Sequence, residues 1–318
     1  MKLFVLWERR NPPVRSPMMT SAVHHLARLG HTTELARCDQ LAVPVDRLVP
    51  AHDLYVLKSH SPFALSLAAA LHAQGARWLN PYPACAVTAD KARAARLLAA
   101  GMVPVPRTWA VGDLTGLRTL IEGGALEDGP LIVKPARGLH GAGVWTLRSP
   151  RDLDSAAPLT EPVVVQQFIP GPGADLKVYV AGDQMFGTRK VFGPDSYTRP
   201  GRPVPIDEPT RSLVRHIGAV LGLGLYGVDV IESRHGPVVV DVNYFPGYRG
   251  HPDAGRAVAE YIHEFVSGRR VLASPEAAPV PRPARLTGTD GQDWLSEPEA
   301  LPALPVGASP GTSRMQGG

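Results

Sequence analysis

The sequence predicts an α+β protein that opens with a compact α/β unit. Three observations predict it. Strand and helix patterns alternate over residues 1–85, paired strands dominate from about residue 131, and one acidic hairpin near residue 240 gathers oxygen-bearing side chains on a single face. In the first unit, residues 2–7 read as a strand, 17–29 as a helix stopped by Gly30, 32–37 and 53–58 as strands, 62–74 as a helix and 77–80 as a strand. Such alternation implies a parallel sheet with covered faces. Thr88, an alanine-rich body and Gly101 then describe a capped helix over 88–101. Residues 131–134 and 144–147 read as strands around a glycine-bearing loop, and 162–168 as a strand running into Gly171-Pro-Gly173. A hairpin is expected over 177–180 and 184–191, a helix over 209–222 and a closing helix over 253–267. From 272 to 318 the chain is rich in Pro, Ala, Gly and Ser and reads as a disordered tail; Trp294 and the leucines near 301–304 suit a short docking motif or an unstructured end.

Composition narrows the function. With 318 residues, 44% of them hydrophobic and 19% charged, the chain has ordinary globular usage and enough length for two or three subdomains. The net charge of +4 comes without a Lys/Arg run interleaved with aromatics, so small anionic ligands are expected rather than nucleic acid. Cys38 and Cys85 lack metal-ligand spacing and suit a reducing cytoplasm. No stretch is long enough to span a bilayer, and the apolar start at 1–7 is too short for a signal segment, so a soluble cytoplasmic protein is expected.

The segment from Tyr226 to Gly250 carries the most chemistry. Two β-branched runs closing over Arg234 to Gly236 set Asp229 opposite Asp241, with cross-strand Cβ atoms about 5 Å apart. Asn243 shares their face, while Val240 and Val242 are expected to point into the packed side. Facing carboxylates repel, whereas a hard cation such as Mg²⁺ bridges one or two carboxylates to a substrate phosphate. An exposed acidic face would read the same from these residues alone. The second signal is the strand ending in Lys134, followed by Gly138, His140, Gly141 and Gly143: a compact positive charge beside a backbone able to turn N–H groups toward an anion. On its own, that pattern is also an ordinary hairpin turn, with His140 a solvated loop residue. Gly222-Leu-Gly-Leu-Tyr-Gly227 spells a dinucleotide fingerprint but follows a helix and opens a strand, the reverse of what pyrophosphate binding needs. His24, His25 and His31 suggest zinc only superficially, because the first two are adjacent on a helix and point to different faces.

These motifs together resemble the ATP-grasp superfamily over about residues 86–268. Asp90-Lys91 with Gly101-Met-Val-Pro-Val-Pro-Arg107-Thr108 is similar to the superfamily's entry pattern, and Lys91 and Lys134 match its two phosphate-binding lysines. Val163 to Pro170 resembles the interlobe strand whose backbone bonds adenine, which assigns Gln166, Gln167, Phe168 and Ile169 to the nucleotide; Gln167 stands where an acidic residue is usual. Asp229, Asp241 and Asn243 match the metal ligands. The resemblance implies two α+β lobes (86–165 and 166–271) clamping ATP and Mg²⁺ or Mn²⁺, preceded by a Rossmann-like domain over 1–85.

Two branches of the superfamily compete. The glycine-bearing loop from Lys134 through Gly138, Gly141 and Gly143 is similar to the lid of glutamate ligases that modify ribosomal-protein tails. Asp241 in place of Glu, the run Asp241 to Tyr248 and Leu176 to Val180 resemble the inositol polyphosphate kinases of this type. Either way, Asp175 falls near the nucleotide, and Lys177, Arg189 and Lys190 become the catalytic cations; a solvated hairpin is the alternative for these four. A carboxylate–amine ligase working through an acylphosphate is the favoured expectation. Its partners are small-molecule or peptide carboxylates and amines, the acceptor pocket being drawn from the first domain and a mobile loop over 193–205. An inositol-phosphate-type kinase is the alternative, a non-catalytic ATP sensor the alternative of another class. Assembly as a homodimer stays open.

Overall fold

The computed structural model describes residues 1–8, 16–138, 143–154, 156, 158–192 and 201–272. The first sheet consists of β1 (Lys2–Trp7), β2 (Thr32–Arg37), β3 (Leu54–Lys58) and β4 (Trp78–Leu79), all parallel in the order β2-β1-β3-β4. Helices α1 (Pro17–Arg28) and α2 (Pro62–Ala73) belong to this unit. Ser61 starts α2 by accepting a hydrogen bond from the Ala64 N–H at 3.3 Å, with Pro62 preset for the first turn.

The helix expected over 88–101 is two helices, α3 (Tyr82–Thr88) and α4 (Lys91–Ala100). Thr88 is not the cap. Its hydroxyl donates back to the Ala84 carbonyl at 2.7 Å, and Asp90 caps α4 by accepting from the Ala92 and Arg93 N–H groups at 3.1 and 3.2 Å. Lys91 therefore sits in the first turn of α4.

The small sheet follows, antiparallel in the order β5-β8-β6-β7, from β5 (Thr108–Val111), β6 (Leu131–Pro135), β7 (Trp145–Leu147) and β8 (Val163–Gln167). Asp113 caps α5 (Leu114–Glu122), which covers one face of this sheet. Leu117, Leu131, Val133, Leu147 and Val165 make a hydrophobic core of its own.

The large sheet has the order β11-β10-β9-β12-β13, built from β9 (Ala174–Ala181), β10 (Gln184–Val191), β11 (Arg202–Val204), β12 (Leu225–Ser233) and β13 (Gly236–Tyr244). Helices α6 (Glu208–Leu221) and α7 (Ala254–Val266) complete it. Gly222 ends α6 at φ +67, so the fingerprint-like Gly222–Gly227 is a helix stop running into β12. Part of the loop expected over 193–205 is β11, hydrogen-bonded to the edge of β10; residues 193–200, like His140, Gly141 and the tail from 273, lie outside the described residues.

The first and large sheets share one continuous core. Asn80, fully buried at the end of β4, donates to the Leu225 carbonyl at 2.8 Å and accepts from the Gly224 and Leu225 N–H groups at 2.8 and 2.9 Å. Tyr244 reaches from β13 to the Ser59 carbonyl at 2.7 Å. These buried bonds fix where β12 and β13 begin and end, and with them the residues that the strands display.

Candidate active site

Strand alternation places Leu176, Val178 and Val180 of β9 in the core and Asp175, Lys177 and Tyr179 on the opposite face. On that face Lys177 pairs in register with Asp229 of β12, and Asp229 with Asp241 of β13, giving a row of three charges across three strands. Asn243 stands two residues beyond Asp241 and donates to it at 3.1 Å. At the other end, Asp175 pairs in register with Lys190 of β10.

A β-bulge makes this row possible. The hairpin turns tightly, with Ser233 opposite Gly236, a register that would set Asp229 against Val240 and turn Asp241 away. One extra residue, Val240, sits between the Asp229–Asp241 and Val230–Val239 pairs and restores the alignment. Consequently Val239 and Val242 are in the core, whereas Val240, expected there, is only half-buried. Its carbonyl accepts a hydrogen bond at 3.2 Å from Nζ of Lys134 on the small sheet. The same distortion thus aims the carboxylates and ties the two sheets together.

The cations surround this row. Lys177 Nζ bonds Asp229 and lies 3.0 Å from Asp175 Oδ2. Burial alone would lower its pKa, but the two carboxylates outweigh burial and hold the ammonium above the ordinary lysine range. Burial and the Asp175 and Asp241 carboxylates push the Asp229 carboxyl upward against the pull of Lys177. Lys134 is lowered by burial, which outweighs the pull of Asp241 and Asp229; Lys91 and Lys177 add repulsion. Lys190 is likewise lowered by burial and by Lys177. Tyr179, beside Asp229, is pushed up to about 12, mainly by burial.

Lys91 Nζ donates to the Gly138 carbonyl at 2.6 Å, so the helix lysine and the start of the glycine loop are in contact. Gly138 and Gly143 pack against the Pro135 ring, where a Cβ on either would come within 2.9 Å of it; their small size is needed for that packing as well as for turning N–H groups. Gln166 is buried and donates to Thr108 Oγ1 at 3.2 Å. The Gln167 and Phe168 N–H groups bond the Arg107 and Pro130 carbonyls at 3.0 and 2.9 Å, and Ile169 follows, half-buried, beyond the strand.

Arg189 is set apart from the other expected cations. It pairs in register with core-facing Leu176, and its guanidinium bonds Glu232 at 2.8 Å on the sheet's other side. Adjacent strand residues cannot share a face, so only one of Arg189 and Lys190 can address the row. Tyr179, Thr188 and His251 were not anticipated: Thr188 shares the face of Lys177, bonds His251 at 2.7 Å, and the segment after Asn243 folds over that end. Alternation counted from Lys177 would have found the first two.

Two opposed carboxylates and an amide are a hard-oxygen donor set suited to Mg²⁺ or Mn²⁺, and burial with repulsion from Asp175 and Asp241 leaves Asp229 undercompensated. Among the described residues no three His, Cys, Asp or Glu side chains gather at metal-ligand spacing, so a cation here would take its remaining oxygens from substrate phosphate or water.

Residues 88–266 match the RimK-like ATP-grasp domain, more than half of the chain. The chain belongs to the RimK-like ATP-grasp family. A probable alpha-L-glutamate ligase of Shewanella loihica is 30% identical over 214 residues, covering 63% of this chain and 69% of that protein. Another, from Hahella chejuensis, is 32% identical over 212 residues, covering 62% of this chain and 69% of its own. In fold, the RimK-domain ATP-grasp protein of Sphaerobacter thermophilus superposes with a TM-score of 0.65 at 24% identity, over 84% of this chain and 100% of that one. Family membership decides between the two branches: this RimK-like protein is an ATP-dependent carboxylate–amine ligase.

Proposed function

We propose that the row Lys177–Asp229–Asp241 with Asn243 forms the floor on which Mg²⁺·ATP is used to activate a carboxylate. One observation carries this reading: the bulge at Val240 turns Asp241 and Asn243 onto the face of Asp229 and at the same point binds Lys134. Asp229, Asp241 and Asn243 would hold the cation, which neutralises phosphate charge when bound. Lys134 and Lys91 approach the phosphates from the small sheet and α4, and Gln166 to Ile169 border the base. Lys177 and Lys190 supply positive charge near the γ-phosphate; Arg189 we assign to structure, through Glu232.

The reaction then runs in two steps. A substrate carboxylate oxygen attacks the γ-phosphorus, giving an acylphosphate and ADP. An amine forms a bond to the acyl carbon, the C–O bond to phosphate breaks, and inorganic phosphate leaves. The protein's share is positioning and charge neutralisation, as in phosphoryl transfer generally. The relatives' names put glutamate first among the amines to try. Two buried, unpaired cysteines, Cys38 and Cys85, support a reducing cytoplasmic setting.

The test is ADP release by the purified protein with ATP and Mg²⁺ across pairs of carboxylates and amines, with products weighed. Ligation predicts a product of the summed masses less one water. A product heavier by one phosphate, with no amine required, would instead place the chain with the kinases.

A further inference from the structure

We propose that Lys58 is a positioning residue for the carboxylate substrate, its ammonium fixing residues 245–251 as the wall against which that substrate meets the row of charges. The proposal rests on the ligase reading above and adds to it the device that shapes the acyl end of the site.

Lys58 ends β3 on the first sheet, yet its Nζ donates to the Phe245 and Pro246 carbonyls at 2.8 and 3.0 Å and lies 4.8 Å from the centre of the Phe245 ring. Its neighbours grip the residue before. The Ser59 carbonyl accepts from the Tyr244 hydroxyl at 2.7 Å, and the His60 ring stacks on Tyr244 at 3.9 Å. Lys58 carries that grip two residues further, to the point where the chain leaves β13. The backbone there needs holding. Phe245 is buried at φ +41 and Tyr248 at φ +48, left-handed conformations that bulky side chains rarely adopt. An ammonium bridging two successive carbonyls makes charge-assisted bonds that a neutral side chain cannot match.

The held segment lies on the site. Gly227 pairs in register with Tyr179 on one side and Asn243 on the other, the next row on the face of Lys177, Asp229 and Asp241. Pro246 packs on Gly227, where a Cβ would come within 3.1 Å of its ring. Further along, the Tyr248 ring stands 5.6 Å from that of Tyr179, its hydroxyl donates to the Val180 carbonyl, and His251 bonds Thr188 at 2.7 Å. Arg249 lies close enough to add positive charge to the surroundings of both Tyr179 and Lys190. Lys134 meets the large sheet on the other side, at Val240. Triphosphate arriving over Lys134 leaves the side walled by Pro246 to His251 for the carboxylate, so a shift of the wall would misplace the attacking oxygen rather than ATP.

The experiment uses the carboxylate and amine that the wild-type full-length protein joins. Lys58→Met keeps the aliphatic stem and removes the donors; it is expected to raise KM for the carboxylate about 10-fold or more and to lower kcat, with KM for ATP within about threefold. Lys58→Arg restores donors and charge and should bring KM for the carboxylate back to within about threefold of wild type. Without ligands, amide exchange over 245–251 should quicken about 10-fold or more in Lys58→Met and stay near wild type in Lys58→Arg. Equal rises in KM for ATP and carboxylate would mean that Lys58 only supports the fold and would overturn the proposal, as would an unchanged carboxylate KM or unchanged exchange. Lys58→Gln provides the same comparison if the Met protein fails to fold. No ligation by wild-type protein with any pair would instead remove the ligase reading itself, while the exchange comparison would still test whether Lys58 holds the wall.

Discussion

The two antiparallel sheets that contribute to the site are anchored in contrasting ways. The large sheet carries Asp175, Lys177, Asp229, Asp241 and Asn243, and its core is continuous with that of the parallel first sheet, stitched by Asn80 and Tyr244. The small sheet carries Lys134 and the glycine loop on a core of its own. The opposed carboxylates Asp229 and Asp241 stand on the element locked from two sides. Lys134, the cation proposed for the triphosphate, stands on the element with the smaller, separate core. Precision sits where the core is continuous, and adaptability where it is local.

The comparison breaks most severely at the bulge. Deleting Val240 should turn Asp241 and Asn243 to the other face and remove the Lys134 acceptor, lowering ATP-dependent ligation about 10³-fold or more in a coupled ADP assay. Next, Lys134→Ala should lower kcat/KM for ATP about 10²-fold with Tm within about 2 °C, because a positioned cation is lost but no core. The depressed pKa of Lys134 also sets a sign: it loses its proton at lower pH than an ordinary lysine, so ATP affinity should weaken early on the alkaline side. Lys134→Arg should shift that alkaline limb outward, since a guanidinium stays charged.

Two fully buried leucines sharpen the contrast in anchoring. Leu131→Ala and Leu225→Ala should each cost about 2–5 kcal/mol, but hydrogen exchange should differ. The first should loosen mainly residues 108–167; the second should loosen the first and large sheets together. The smallest effect is a gain. Asp241→Asn relieves the repulsion with Asp229 and should stabilise the metal-free protein by about 0.5–1 kcal/mol in denaturant melts while ligation is lost.

Much of this was legible in the residues. The alternation through 1–85 gave the parallel sheet, and the pairing of Asp229 with Asp241 follows from two β-branched runs around a short turn. The bulge was not legible, because Val238-Val-Val-Asp-Val242 carries no local mark of an extra residue; the alignment came out right with the turn one residue too long. Thr88 and Asp90 both suit a cap, and the back-bond of Thr88 to Ala84 and the N–H groups that Asp90 accepts separate them. That Arg189 and Lys190 take opposite faces is legible in the residues, since neighbours on a strand face opposite ways.

The most direct test is anomalous scattering from Mn²⁺ in crystals grown with a non-hydrolysable ATP analogue. A manganese peak ligated by Asp229 and Asp241 beside Asn243, with Lys134 on the phosphates, is the predicted result. A peak elsewhere in an active protein, with that face bare, would contradict the assignment.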